Sequence, residues 1–293
     1  MTQNPHDLEI RLGSSRGAPN ERSFYAPDGL NVETYDERTA GFPGEIDFYV
    51  GRARASGGPV LELASGTGRV SWPIARAGIS IVGLDLSTTM LATAERKRAV
   101  EPREISARAE FVRGDMADFD LGRRFALVIV PFRAFQALLT PEEQRRSLLC
   151  IGRHLSPNGR LILDLFDPRL ELLLPDRTLP RPQPPSVRHP VSGNMVVISV
   201  LERINDPVRQ QLRERWRFSE VTPGGEVVRE EEELLELRWT YRYEMRHLLE
   251  LCGYVVEEEL SDFLGGAATY GKEQIWICRQ SGKCANRVGA GTE

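Results

Sequence analysis

Cysteine is scarce in this sequence: four residues in 293, at Cys150, Cys252, Cys278 and Cys284, with no CxxC pair and none beside a histidine at metal-ligand spacing. That argues against a zinc site or a disulfide framework, so no metal is expected. The first three cysteines sit in apolar stretches and read as small buried hydrophobes. Long apolar runs are also missing. The stretch Phe125 to Phe132 is far short of the roughly 20 residues that cross a bilayer, and MTQNPHDLEI at the start has no secretory apolar segment. A cytoplasmic protein without a membrane partner is the expectation. Nor does one sign of charge dominate: 38 basic against 42 acidic residues leave a net charge of -4, with no positive field to gather nucleic acid.

What is present is a chain that is 41% apolar, enough for one large domain carrying an insertion. Residues 1–22 and 281–293 are polar and rich in small residues, and are expected to be flexible ends. Residues 23–58 read as an N-terminal lid. Between 59 and 170, the β-rich runs PVLELA, ISIVGLDL, AEFVRGD, FALVIVPF and RLILDLF alternate with helical patterns. That alternation predicts βαβ units and an α/β fold with a doubly wound, mostly parallel sheet. The proline-rich RTLPRPQPPSVRHP reads as an extended crossing, and it opens an insertion over 171–238 whose three amphipathic strands predict an antiparallel meander. This insertion is expected to cover a substrate or to make a homodimer contact. Residues 239–280 return to the core as a helix ended by Gly253 and a hairpin at the sheet edge, which brings the sheet to seven strands.

The chemistry concentrates at three strand ends. The run VLELASGTGRV carries Glu62 on a buried strand and then Ala64, Ser65, Gly66 and Gly68 in a tight turn that opens a helix, where backbone can approach a ligand. The next strand ends at Asp85, placed to accept ribose hydroxyls, and the third ends at Asp115. All three lie at the carboxyl edge of the sheet, where open α/β folds bind ligands.

On these residues the sequence resembles the class I S-adenosylmethionine-dependent methyltransferases of small-molecule type, with a Rossmann-like core, over about 30–170 and again 239–280. ELASGTG resembles the family's first motif, with Ala64 where glycine is usual. The resemblance implies that Glu62 orients the site and that the backbone of Ala64 to Gly68 lies against the methionine part of the cofactor. It further implies that Asp85 holds the ribose, Met90 packs on the adenine, and Asp115 and the Met116 N–H meet its polar edge. Arg69 and Leu86, beside the turn and beside Asp85, join the cofactor set with Pro131. Tyr35 would sit in a lid over the methionine end, and Tyr25 and Tyr49 are further aromatic candidates for a sulfonium. The cofactor implied is S-adenosyl-L-methionine, with S-adenosyl-L-homocysteine as product.

The stretch after the fourth strand, VIVPFRAFQALL, offers Phe132, Arg133 and Gln136 to the reacting centre. Arg133 is a candidate for a substrate carboxylate or for a plain salt bridge. Related small-molecule enzymes often place a histidine after the glutamine; here Ala137 stands there, which leaves a self-ionising substrate, a tyrosine or an acid such as Glu244 as alternatives for a base. No Asn/Asp-Pro-Pro-aromatic motif or cysteine follows this strand, so base methylation is not expected. The reading is methyl transfer to an oxygen or nitrogen of a small molecule. The alternatives are a non-catalytic module that binds the cofactor and a protein partner, or an NAD(P)-dependent enzyme, against which the spacing of ASGTGR argues.

Overall fold

The computed structural model describes residues 22–25, 29–39, 42–169 and 185–281. The expectations for residues 1–21, for the tail from 282 and for the proline-rich crossing over 170–184 lie outside these residues.

The chain enters through a two-residue strand, β1 (Arg22–Ser23), followed by the short helices α1 (Leu30–Glu33) and α2 (Tyr35–Arg38) and the longer α3 (Glu45–Ser56). The central sheet follows from the β-rich runs: β2 (Val60–Leu63), β3 (Ile81–Asp85), β4 (Ala109–Arg113), β5 (Phe125–Val130) and β6 (Leu155–Phe166). Between them lie α4 (Ser71–Arg76), α5 (Thr88–Arg98), α6 (Arg103–Ser106), a 3₁₀ turn over Ala134–Ala137 and α7 (Pro141–His154). The insertion supplies β7 (Ser186–Arg188), β8 (Met195–Asp206), β9 (Gln211–Val221) and β10 (Val227–Arg238), after which α8 (Arg242–Leu251), β11 (Tyr254–Leu260) and β12 (Glu273–Gln280) complete the core.

The seven-stranded sheet runs β11-β12-β6-β5-β2-β3-β4, and β12 alone runs against its neighbours. Strand β5 is apolar throughout and β2 is buried along its whole length, its one polar residue being Glu62, because both faces of the sheet are covered. On one face, Tyr49 and Ala53 of α3 and Trp72 and Ile74 of α4 pack on Val60, Ile129 and Ile277; on the other, Leu148 and Ile151 of α7 and Met245 and Leu249 of α8 pack on Leu61, Val128 and Leu163. Helix α7 starts where its sequence says it should: Thr140 and Glu143 cap each other's backbone and Pro141 takes the first turn.

The second sheet is ordered β1-β10-β9-β8-β7. Strands β8, β9 and β10 form the expected meander, but its edge is closed by β1, which pairs parallel to β10. The pairing joins the N-terminal segment to the inserted sheet. A two-residue strand carries no periodicity, so pattern alone did not announce it.

Candidate active site

The turn after β2 is built around Asp85. Ala64 and Gly66 have φ of 54° and 56°, and the bend brings the Gly66 N–H to Asp85 Oδ2 at 2.7 Å, while Asp85 Oδ1 accepts from the Ser87 N–H at 2.7 Å. The residue lines a cavity of about 1130 Å³. Burial pushes the Asp85 carboxyl up, and the backbone bonds from Ser87 and Gly66 pull it back. The Ser65 N–H meets Leu84 O at 3.1 Å, which seats the turn across the end of β3. Asp115 follows β4 and accepts the Ala117 N–H on Oδ1 at 2.8 Å.

The cavity wall brings together Ala64, Gly66, Asp85, Leu86 and Met90 from the first two strand ends with Asp115 and Met116 from the third. Tyr25 and Tyr35 join from the N-terminal segment, and Pro131, Phe132 and Arg133 from the loop after β5. The rings form a run: Tyr25 to Tyr35 at 5.6 Å between centroids and Tyr35 to Phe132 at 6.3 Å. Burial raises the Tyr35 hydroxyl far above the ordinary tyrosine range, so it stays protonated and is not a base.

Seven of the expected positions lie off the wall. Glu62 is buried beneath the turn and accepts the Ser71 hydroxyl; Ser65 turns its side chain against Gly83; Gly68 packs on Trp72. Arg69 is held by Glu45 through two bonds of 2.6 and 2.7 Å and lies over the Phe132 ring. Gln136 is fully buried and accepts the Phe166 N–H at 3.0 Å. In a 3₁₀ turn residues three apart eclipse, so Ala134 and Ala137 share the cavity face and Gln136 is rotated away. Tyr49 is buried in α3 and donates to Asp164. Glu244 is also off the wall, bound to Arg238 and Gln210 at the start of α8. Arg133 is on the wall, but its guanidinium is paired with Glu273, the plain salt bridge of the two readings offered for it.

Several contributors escaped the sequence reading. Asp164 is fully buried in β6 and accepts the Phe132 N–H at 3.0 Å, the Arg133 N–H at 2.8 Å and the Tyr49 hydroxyl at 2.6 Å. Phe132 and Arg133 both have positive φ, so this one carboxyl holds a strained turn that aims Phe132 at the cavity. Burial raises Asp164 to about 7. An acid in the middle of RLILDLF was the available signal, since a buried carboxyl must find donors. The acidic run on β10 was another: Glu233 accepts the Tyr25 N–H and Asn31 Nδ2, and Glu231 accepts the Leu30 N–H, so alternate acids fasten the N-terminal segment.

Residues 60–159 match the family model of a methyltransferase domain. The matched stretch runs from β2 into β6, and the fold is the one shared with solved methyltransferases. Among similar proteins, the cypemycin N-terminal methyltransferase of a Streptomyces species is 36% identical over 112 residues, 38% of this chain and 43% of its own. A dTDP-3-amino-3,4,6-trideoxy-α-D-glucopyranose N,N-dimethyltransferase of Streptomyces venezuelae is 33% identical over 36% of this chain and 41% of its own. The matches thus span about two fifths of these curated relatives' length. Solved structures cover more: the CcbJ methyltransferase of Streptomyces caelestis aligns with a TM-score of 0.70 and 23% identity over 89% of this chain and 99% of that one. The sugar N-methyltransferase KedS8 of Streptoalloteichus sp ATCC 53650 aligns at 0.65 and 21% over 91% and 99%.

Two outcomes test this local physics. Ala64 pays a steric penalty at positive φ that glycine avoids, so Ala64→Gly should raise stability by about 1 kcal/mol in denaturant unfolding. Burial lifts the Glu62 carboxyl to about 8, against the opposing pull of the Ser71 hydrogen bond and Arg69. The folded state therefore holds a proton that the unfolded chain releases near its ordinary pKa of 4.5, so this stabilisation is full below 4.5 and is lost as pH rises towards 8. Asp164 adds a similar slope that ends near 7. Between pH 7 and 8.5 the melting temperature should fall in the parent protein and stay level in Glu62→Gln.

Proposed function

We propose that the protein is an S-adenosylmethionine-dependent methyltransferase acting on a small molecule. The observation that carries this is the convergence of the Ala64–Gly66 turn, Asp85 and the Asp115–Met116 strand end on one large cavity. The residues fit the cofactor. Gly66 leaves its backbone open to close approach, since a Cβ there would meet only Met90 Cε, at 3.7 Å. Asp85 offers two acceptor oxygens to a ribose diol, and Leu86 and Met90 offer apolar surface to an adenine. Asp115 and the Met116 backbone would meet the adenine's polar edge. The bound cofactor supplies a methyl group already activated by its sulfonium.

The protein's task is then to position an acceptor lone pair in line with that methyl and to keep water out. The run Tyr25, Tyr35 and Phe132 supplies ring surface for that purpose, and Asp164 fixes the Phe132 end of it. Proton removal is poorly provided for. Ala137 stands on the wall where related enzymes carry a histidine, Tyr35 stays protonated, and Glu273, Asp167 and Glu143 are each engaged by partners. An amine nitrogen suits such a site: its neutral form carries the attacking lone pair without help from a base, and the methylated ammonium that results gives its proton to water after transfer. The reported relatives are methyltransferases, several of amines, which favours this reading over an idle binding module or an NAD(P)-dependent enzyme.

Calorimetric titration with S-adenosylhomocysteine tests the site. Asp85→Ala should weaken binding by about 1.5–3 kcal/mol, roughly 10- to 150-fold, with the fold retained. Equal affinity in the variant removes the assignment. Labelled methyl transfer from the cofactor into a pool of small metabolites tests catalysis, and a pool left unlabelled contradicts it.

A further inference from the structure

The inserted sheet has two unlike faces. On one, Arg213, Arg215 and Arg217 of β9 pair with Glu236, Glu232 and Glu230 of β10 in a ladder of exposed or half-exposed ion pairs, the ordinary dress of a wet surface. The other face, one residue out of step along the same strands, lines the cavity with Leu212, Glu214 and Trp216 of β9 and Leu235 and Leu237 of β10. On this wall Glu214 is ion-paired with Arg203 of β8. Arg203, Glu214 and Leu235 are direct cross-strand neighbours, as are Glu233 with Trp216 and Leu237 with Leu212. Glu214 is only 4% exposed, and it also accepts the Trp216 indole N–H at 2.8 Å. Trp216 is itself held edge-on by Phe24 and stacked on Phe218.

We propose that Arg203, Glu214 and Trp216, with the leucines beside them, form a subsite for a neutral, hydroxyl-bearing ring of the methyl acceptor. The proposal rests on the methyltransferase reading for the reaction served, though not for the geometry of the subsite. A paired guanidinium and carboxylate present N–H donors and oxygen acceptors side by side with almost no net charge. Neighbouring hydroxyls, each of which both donates and accepts, match that pattern. An ammonium or a carboxylate would find one member of the pair repulsive. Leu212, Leu235 and Leu237 give the C–H face of such a ring an apolar bed. The cavity has the room: at about 1130 Å³ it exceeds the ~300–1,000 Å³ that commonly holds one drug-sized ligand.

The test uses protein loaded with S-adenosylhomocysteine and phenyl β-D-glucopyranoside as a neutral probe, with benzylamine and benzoate as charged ones. The glucoside should bind more tightly than either. The double variant Arg203→Met/Glu214→Leu, which replaces the pair by apolar groups of similar size, should weaken the glucoside at least tenfold and leave S-adenosylhomocysteine affinity unchanged. Undiminished glucoside binding in the double variant, or tighter binding of a charged probe that the double variant abolishes, overturns the proposal. Should the double variant fail to fold, saturation-transfer NMR on the parent protein decides: transfer to the sugar C–H protons that disappears in Trp216→Ala supports the subsite, and transfer that persists overturns it. Loss of S-adenosylhomocysteine binding with glucoside binding intact would instead remove the methyltransferase reading and leave the subsite standing.

Discussion

The hydrogen bond from the Gly66 N–H to Asp85 Oδ2 is the joint on which the rest of the site depends. It ties the turn after one parallel strand to the last residue of the next, so the glycine bend and the acid cannot drift apart. Because Asp85 also takes the Ser87 N–H, its carboxylate is fixed in rotation before any ligand arrives. Preorganisation of this kind lowers the ordering cost of binding. It also explains the tolerated strain at Ala64, whose positive φ is imposed by a turn anchored at both ends.

Three buried acids extend the same logic outward, each joining elements that pattern alone would treat as separate. Glu62 links β2 to the start of α4 through Ser71. Asp164 links β6 to α3 and to the loop after β5. Glu233 links the inserted sheet to the N-terminal segment through Tyr25 and Asn31. A buried carboxyl is costly unless donors surround it, so each can be accommodated only when its neighbours are in place. The cavity wall is therefore a consequence of satisfied burial: Phe132 faces inward because Asp164 holds its backbone, and Tyr25 is placed because Glu233 holds its N–H.

Much of the architecture was legible because it is written in periodicity. Runs such as FALVIVPF are apolar at every position and could only be strands covered on both faces. The swap from alternating to helical spacing marked the inserted meander and the return through α8. The strand-end acids were legible for the same reason, since a carboxylate after such a run has one place to go. What stayed hidden depended on rotation and on distance in the chain. Gln136 and Ala137 are adjacent in sequence, yet a 3₁₀ turn sends one into the core and the other to the cavity. Arg133 could not be assigned without Glu273, which lies 140 residues away. The role of the β10 acids was hidden because the N-terminal segment that uses Glu231 and Glu233 lies some two hundred residues earlier.

The central claim is that a shared crevice at three strand ends is shaped for an adenosyl group with its ribose on Asp85. A crystal structure of the protein grown with S-adenosylhomocysteine addresses it most directly. The account predicts density with both ribose hydroxyls on the Asp85 carboxylate and the adenine between Met90 and Met116. Density for the nucleoside elsewhere on the molecule, with that crevice holding only water, would contradict it.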